Sequence, residues 1–267
     1  VDFEKLKEHV RQVEAAVAPN EAPARLAGLG IRVIDGPLRF TSPKGLSVDE
    51  RIDIMPKHVV IATGSLQQKP AIEGFGGEML TPDTIFELRE CPDSLAVLGA
   101  TALGLELAQA FHRLGAAVTV IDRESPLRQE DRECSTILLE RLKAQGIAFR
   151  TAQIVRAVKS ANTIEIELDD NAVRLSVSHV LAAGERIPAL GDLDLETGAV
   201  VADGGHIRID DHQRSSNPKV FAIGDSAGSH SVQAANATAS IVVRNLLRGE
   251  NSARNADAVA RAIFTDP

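Results

Sequence analysis

One stretch of the chain predicts a strand, a glycine turn, a helix and a second strand from its hydrophobic pattern alone. Leu95–Leu98 is a short apolar run, and Ala117–Ile121 is a second run in which β-branched residues are common. Between them, the sequence of Gly99–Gly104 predicts a tight turn. Leu105–Leu114 has the spacing of a helix and is followed by a glycine, the favoured C-cap residue. This order is typical of a βαβ unit that binds a dinucleotide.

Two other segments share a single order of predicted elements. In residues 26–64 and again in residues 154–184, short alternating runs predict an antiparallel meander. Each meander leads into a continuous apolar strand, His58–Thr63 or His179–Ala183, which ends at a glycine turn. We interpret this as a weak repeat of supersecondary structure that indicates two related nucleotide-binding units. The remaining predictions are helices over 2–17, 84–88, 135–145 and 233–248, strands over 31–34, 38–40, 46–48, 52–55, 147–150, 154–158, 163–168, 172–177, 207–209 and 220–223, and a turn over 169–171.

The glycine turn carries the predicted binding chemistry. Backbone N–H groups at the start of the following helix would face a pyrophosphate, and the helix dipole favours negative charge there. Asp122, about 20 positions after the turn, can accept hydrogen bonds from ribose hydroxyls. Thr101 replaces the middle glycine of the G-x-G-x-x-G pattern, so we expect it to push a cofactor outward or to bond a phosphate through its hydroxyl. A βαβ crossover without any ligand is the alternative.

A second group of candidate residues surrounds Asp225. It follows the apolar run Val220–Ile223, so it stands at the carboxyl end of a predicted buried strand. Ligands bind at this edge of open α/β sheets, where a carboxylate suits a sugar hydroxyl. The alternative is that Asp225 only caps the next helix.

Composition and length limit the classes of function. A chain of 267 residues favours two compact units over one. The net charge of −8 argues against nucleic-acid binding, as does the absence of Trp and Tyr. No apolar run reaches the roughly 18 residues of a membrane span. The first ten residues predict a charged amphipathic helix and not a signal peptide.

The cysteines and histidines predict neither a redox pair nor a metal site within the chain. Cys91 and Cys134 lie far apart and form no C-x-x-C or C-x-x-x-x-C pair, so we expect free thiols in a cytoplasmic protein. The seven histidines show no ligand spacing, and we expect no metal site. We also expect no catalytic nucleophile.

Five ordered motifs together resemble one known family. The chain is similar to the pyridine nucleotide–disulfide oxidoreductases, which include dihydrolipoamide dehydrogenase and mercuric reductase, and the mercuric-reductase-like branch looks most similar. The resemblance covers nearly the whole chain. The motifs are IATGS at 61–65, GATALGLE at 99–106, VTVID at 118–122, LAAGERIP at 181–188 and SSNPKVFAIGD at 215–225, and RAIFTDP at 261–267 resembles the family's entry into a C-terminal dimerisation domain.

The resemblance implies a three-layer, Rossmann-like α/β fold that binds FAD and NAD(P). A central NAD(P)-binding domain would be inserted into an FAD-binding domain. The implied division is a partial FAD-binding domain over 1–90, the NAD(P)-binding domain over 91–206, the return segment of the FAD domain over 207–251 and the start of a dimerisation domain over 252–267. Because residue 1 is not Met and no closing element follows RAIFTDP, we expect a chain cut at both ends, from a parent that is a homodimer.

The resemblance also implies two groups of site residues. On the NAD(P) side, Gly99, Ala100, Thr101, Ala102 and Leu103 would cradle the pyrophosphate, Glu106 would face the nicotinamide, Asp122 and Arg123 would lie at the ribose, and Ile154 and Gly184 would line the two ends of the nucleotide. On the FAD side, Thr63, Gly64 and Ser65 would touch the cofactor, Gly224 and Asp225 would hold the ribityl chain, Leu38 would lie by the adenosine, and Val232 and Gln233 would approach the isoalloxazine.

Departures from the family pattern limit what the chain could do alone. The family's FAD fingerprint, its C-x-x-x-x-C disulfide and its C-terminal His–Glu pair are not among the 267 residues. Glu185 stands where the family has an arginine, and Ala234 stands where it has a histidine. The implied parent passes hydride from NAD(P)H to FAD and on to a disulfide or metal-ion acceptor, and we expect the isolated chain to be inactive. Two alternatives remain: a nicotinamide-nucleotide-binding module without turnover, and a disulfide-free flavoprotein of the NADH oxidase or ferredoxin reductase kind.

Charge at the ribose favours NAD over NADP. A 2′-phosphate about 4 Å from Asp122 would be repelled by roughly 4 kcal/mol at an effective dielectric constant near 20. Arg123 and Arg128 could offset this repulsion by pairing with the phosphate, or they could form part of a solvated charged face.

Overall fold

A computed structural model describes residues 1–20, 22–169, 174–229, 231–255 and 259–266. Parts of the predicted turn over 169–171 and of the predicted strand over 172–177 lie outside the described residues. The chain divides into two compact units: unit 1 comprises Val1–Pro19, Gln67–Glu185 and Ile263–Pro267, and unit 2 comprises Asn20–Leu66 and Arg186–Ala262. Among the described residues, no helix has the length and apolar character that a membrane crossing requires.

The described residues form α-helices, short 3₁₀ helices and strands. The helices are α1 (Phe3–Val17), α2 (Pro23–Gly28), α3 (Ala102–Leu114), α4 (Arg132–Gln145) and α5 (Val232–Arg248), with 3₁₀ helices at Ala18–Asn20, Ile85–Glu87 and Gly224–Ala227. The strands are β1 (Leu38–Ser42), β2 (Gly45–Val48), β3 (Ile52–Ile54), β4 (Val59–Ile61), β5 (Ser65–Gln67), β6 (Ser94–Leu98), β7 (Ala117–Asp122), β8 (Ala148–Thr151), β9 (Ile154–Ser160), β10 (Thr163–Leu168), β11 (Arg174–Val177), β12 (His179–Ala182), β13 (Arg186–Pro188), β14 (Ala202–Asp203), β15 (His206–Ile207) and β16 (Val220–Ala222).

Unit 1 has three layers around a parallel sheet of order β12-β6-β7-β8. Along β6, Leu95 and Val97 join the buried cluster that contains apolar residues of α3 and α4. Ala96 and Leu98 point to the other face, where they join a cluster with residues of the antiparallel sheet β11-β10-β9. Burial on both faces explains the continuous apolar runs of these strands. The predicted three-layer Rossmann-like fold is confirmed.

Side-chain caps and glycines set the ends of the helices in unit 1. Thr101 caps α3, which starts three residues before the predicted helix, and Gly115 ends it with a φ of 117°. Asp131 caps α4 by accepting a hydrogen bond from the Cys134 N–H. This cap explains why α4 starts at Arg132 and not at the predicted residue 135.

Unit 2 contains an antiparallel meander of order β1-β2-β3 and a parallel pair of order β16-β4. Phe40 on β1, Ile61 on β4 and Val220 on β16 share one buried cluster. Phe40 also donates its N–H to the Leu193 carbonyl at 2.9 Å. The central residue of β4, Val60, is 41% exposed, so this strand is buried less completely than its sequence predicts.

One prediction for residues 23–34 is wrong, and α2 was not predicted. Pro23 stands in the first turn of α2, where its fixed φ is compatible with a helix. The predicted strand over 31–34 is irregular, and Ile31 and Val33 are 49% and 47% exposed. Alternation of apolar residues is insufficient for a strand when no partner strand pairs with it.

The limits of the two units differ from the predicted domain limits. Residues 67–90 belong to unit 1, where the Leu80 N–H donates to the Val180 carbonyl at 2.9 Å and Ala182 donates back to Leu80. Phe3 of α1 packs against the helix-side core of the same unit. Residues 186–206 belong to unit 2, since Val200 lies in its core.

Candidate nucleotide-binding sites

The glycine turn of unit 1 is shaped by close backbone contacts. A Cβ atom on Gly99, whose φ is +113°, would lie 2.3 Å from the Gly184 Cα. A Cβ atom on Gly104 would lie 2.2 Å from the Gly99 carbonyl oxygen. Only glycine therefore permits the turn, the start of α3 and the residue after β12 to pack this closely.

Thr101 is part of the scaffold of the turn. Its Oγ1 accepts a hydrogen bond from the Gly104 N–H at 3.1 Å and donates to the Ala183 carbonyl at 2.7 Å. Since the hydroxyl has a single proton, that proton is already used within the protein. In this arrangement Thr101 has no proton left for a phosphate, and the expectation that it pushes a cofactor outward stays a prediction.

The first turn of α3 offers donors for an anion. Ala102 and Leu103 are its first two residues, and N–H groups at these positions have no acceptor within a helix. The positive end of the helix dipole lies at the same place. Ala100 differs, because its N–H donates to Asp122 Oδ2 at 2.6 Å. The donor set suits the pyrophosphate of a dinucleotide.

Asp122 joins the end of β7 to the glycine turn. Besides the bond from Ala100, its Oδ1 accepts the Glu124 N–H at 3.1 Å. A carboxylate can accept about four hydrogen bonds, so capacity for a ribose hydroxyl is left. Arg123, the next residue, is exposed. Ribose binding by Asp122 stays a prediction.

Arg128 is held by two carboxylates. Its Nη1 contacts Glu124 Oε2, and its Nη2 donates to Glu185 Oε1 at 2.5 Å. Glu185, which sequence reasoning treated only as a missing arginine, is thus an ion-pair partner. The residue before Arg128, Leu127, donates its N–H to the Ala100 carbonyl at 3.0 Å, so this cluster is attached to the glycine turn.

The predicted nicotinamide-side residue Glu106 is bonded to the C-terminal segment, which sequence reasoning missed. Its Oε1 accepts the Phe264 N–H at 2.8 Å. One helical turn further along α3, the buried Gln109 donates to the Asp266 carbonyl at 2.6 Å and accepts the Asp266 N–H at 2.9 Å. Arg113 pairs with the Asp266 carboxylate at 2.8 Å. The motif RAIFTDP gave no local signal for this contact.

Two other predicted residues of the NAD(P) group lie at strand ends of unit 1. Ile154 begins β9 and packs, half-buried, against the core beneath the antiparallel sheet. Gly184 follows β12 and contacts Gly99. Gly184 is therefore joined directly to the glycine turn, whereas Ile154 packs against the core beneath the antiparallel sheet.

In unit 2 the parallel pair β16-β4 brings Ser65 and Asp225 together, although 160 positions separate them in sequence. The Ser65 hydroxyl donates to Asp225 Oδ2. Gly64 and Gly224 both have positive φ, and a Cβ atom on Gly64 would meet nothing within 4 Å. Thr63 is exposed beside them. The carboxyl ends of parallel strands thus form a polar edge with open space at Gly64.

Arg186 is a member of this edge that sequence reasoning missed. Its Nε donates to Ser65 Oγ at 2.8 Å, and its Nη2 donates to the Ser65 carbonyl at 2.6 Å. The sequence did offer a signal for Arg186, because the motif LAAGERIP has an arginine directly after Glu185, one position later than the arginine of the family. The guanidinium places a positive charge beside the Ser65–Asp225 pair.

The remaining predicted FAD residues lie elsewhere in unit 2. Leu38 begins β1, pairs with Val48 and packs against the core. Val232 and Gln233 are the exposed first residues of α5, whose N-cap Ser231 accepts the Ala234 N–H. Among the described residues, no hydrogen bond joins them to the Ser65–Asp225 pair.

Cysteines and metal-ligand groups add no further chemistry to these sites. Cys91 and Cys134 are both free thiols, and burial raises the pKa of Cys91. Within the described ranges, no cluster of three or more histidine, cysteine or acidic residues could hold a metal ion.

A glycine turn, a capped helix and an acidic strand end, on a parallel sheet that lies between two other layers, are typical of dinucleotide-binding α/β proteins. The model of the family "Pyridine nucleotide-disulphide oxidoreductase" matches residues 13–240. The chain belongs to this family.

Individual relatives agree with this assignment. The chain is 31% identical over 245 residues to a mercuric reductase of Bacillus cereus, covering 89% of this chain and 39% of the relative. It is 28% identical over 230 residues to a dihydrolipoyl dehydrogenase of Chlamydia pneumoniae, covering 85% and 49% respectively. The chain therefore spans half or less of the length of these curated relatives.

Solved structures show the same fold. The HOCl-induced flavoprotein disulfide reductase RclA from Escherichia coli matches with a TM-score of 0.84 at 24% identity, over 96% of this chain and 60% of that one. LpdA from Mycobacterium tuberculosis matches with a TM-score of 0.87 at 22% identity, over 99% and 61%.

Proposed function

We propose that the chain is the nucleotide-binding part of an FAD-dependent oxidoreductase that passes hydride from NADH to FAD. The observation that carries this proposal is the first turn of α3, where the N–H groups of Ala102 and Leu103 are available beside a turn that requires glycine at positions 99 and 104. Membership of the family supports the same function.

Each unit supplies residues for one cofactor. In unit 1, Ala102 and Leu103 bind the nicotinamide nucleotide's pyrophosphate, and Asp122 accepts a ribose hydroxyl. In unit 2, Asp225 accepts a hydroxyl of the FAD ribityl chain, Ser65 donates to its carboxylate, and Arg186 donates to Ser65. When bound, the flavin supplies the electron-transfer chemistry.

The charges around Asp122 support NADH as the nucleotide. The carboxylate of Asp122 repels a 2′-phosphate. Of the two arginines that could compensate, Arg123 and Arg128, the second is already engaged by Glu124 and Glu185.

The final electron acceptor is proposed as a disulfide or a metal ion. The Bacillus cereus relative is named a mercuric reductase, and the Chlamydia pneumoniae relative is named a dihydrolipoyl dehydrogenase. We further propose a homodimeric, cytoplasmic parent protein, as the family resemblance and the free cysteines suggest.

Binding measurements on the purified chain test this function. We expect NADH to bind by fluorescence titration, and added FAD to be retained with its visible absorbance after gel filtration. Asp225→Ala should reduce FAD retention and leave NADH binding unchanged, because Asp225 lies in the other unit. Asp203→Ala, which removes an exposed carboxylate of unit 2, is the matched control.

The outcomes separate the candidate functions. If neither nucleotide binds, the proposal is wrong. If NADH binds while FAD is not retained, the chain is a nicotinamide-nucleotide-binding module, which is the alternative function.

A further inference from the structure

An ion-pair cluster lies beside the glycine turn of unit 1. The Arg128 guanidinium contacts Glu124 through Nη1 and Glu185 through Nη2, the latter at 2.5 Å. One positive charge thus faces two negative charges. With Asp122 close by in sequence, this edge of the site has an excess of negative charge.

The two sides of the cluster are attached to the turn through the backbone. Leu127 is buried with a φ of 54°, and its N–H donates to the Ala100 carbonyl. On the other side, Glu185 directly follows Gly184, which is in close contact with Gly99. The turn therefore holds Arg128 and Glu185 within reach of each other, although 57 positions separate them in sequence.

The contacts occupy the groups with which arginine binds phosphate. A guanidinium recognises phosphate best with two parallel N–H donors. Both terminal nitrogens of Arg128 are directed at carboxylates. A 2′-phosphate could recruit Arg128 only by displacing a carboxylate, and it would then face that carboxylate as a like charge.

We propose that Glu185 determines nucleotide specificity by holding Arg128 in an ion pair and thereby disfavours NADPH. This inference rests on the proposed binding of a nicotinamide nucleotide at the same turn. Glu185 acts through Arg128, so it is a positioning residue that need not touch the nucleotide.

A double-mutant cycle on the 267-residue chain tests the inference. The variants are Glu185→Gln, Arg128→Met and the double variant, and the readout is the ratio of the dissociation constants of NADPH and NADH. We expect Glu185→Gln to lower this ratio about fivefold, the size of an exposed charge pair. In the presence of Arg128→Met, the same substitution should change the ratio less than about twofold, because no guanidinium is left to release.

Salt and a second comparison sharpen the test. Glu185 and Arg128 are 71% and 45% exposed, so the effect of Glu185→Gln should shrink as ionic strength rises. Arg128→Met alone should hardly weaken NADPH binding. In the presence of Glu185→Gln, the same substitution should weaken NADPH binding about fivefold.

The results distinguish this inference from the proposed function. If the unmodified chain binds neither NADH nor NADPH, the proposed function fails and the inference fails with it. If the chain binds a nucleotide and Glu185→Gln leaves the ratio unchanged, only the inference is overturned. It is also overturned if the ratio changes equally with and without Arg128, because the charge of Glu185 then acts directly.

Discussion

Replacing Thr101 with valine tests whether this residue serves the fold of the turn. Valine keeps the shape of the side chain but removes Oγ1, which holds the Gly104 N–H and the Ala183 carbonyl. Loss of a threonine N-cap costs about 0.5–2 kcal/mol. A buried carbonyl left without a partner costs about 1–3 kcal/mol more, and Ala183 is 1% exposed. We therefore expect Thr101→Val to lower the free energy of unfolding by about 1.5–5 kcal/mol.

Two further substitutions at Thr101 serve as matched controls. Thr101→Ser keeps both hydrogen bonds and should stay within about 1 kcal/mol of the unmodified chain. Thr101→Gly restores the G-x-G-x-x-G pattern and loses only a few tenths of a kcal/mol as a cap. It still leaves the Ala183 carbonyl without its partner, so its stability should fall between those of the serine and valine variants.

Urea unfolding followed by circular dichroism measures the global effect, and hydrogen exchange at the Gly104 amide measures the local one. Thr101→Val should accelerate exchange at Gly104, while Thr101→Ser should not. The proposed role of Thr101 in the fold would be refuted if the free energy of unfolding of Thr101→Val lay within about 0.5 kcal/mol of that of the unmodified chain and the exchange rate of the Gly104 amide were unchanged.

Three other predictions follow from packing, titration and the C-terminal contact. Gly99→Ala should lower the thermal unfolding temperature of unit 1 far more than Gly115→Ala. Both glycines have a φ near +115°, but only a Cβ atom at position 99 would clash, at 2.3 Å from Gly184. Equal decreases in unfolding temperature would contradict this prediction. Burial lowers the pKa of His179 from its ordinary value of 6.5, so the unfolded chain takes up a proton at a higher pH than the folded chain, and the free energy of unfolding in urea should fall as the pH drops below 6.5. His179→Gln should make the free energy of unfolding depend less steeply on pH, and an unchanged dependence would contradict this role of His179. Gln109→Leu removes the two hydrogen bonds between the Gln109 side chain and the Asp266 backbone, worth about 0.5–1.5 kcal/mol each, and should therefore raise the rate of amide exchange in residues 263–266. An unaltered exchange rate would show that these two bonds do not hold the segment.

The sequence alone predicted most of the local structure and the sheet edges at which the candidate site residues lie. The apolar runs of β6 and β7, together with Gly99, Gly104 and Asp122, specified the βαβ unit because these signals lie close together in the sequence. The order of motifs indicated the family, which the family model confirmed. The irregular segment over 31–34 shows the limit of periodicity, since a strand also needs a partner.

Only the tertiary structure decided which polar groups are partners. Ser65 meets Asp225 and Arg186, and Arg128 meets Glu185, because strands and loops remote in sequence end at the same sheet edges. No local pattern records such a pairing. The sequence determines how many hydrogen bonds each side chain can donate and accept, because that number depends on residue type. The packed backbone determines which other group lies close enough to be its partner.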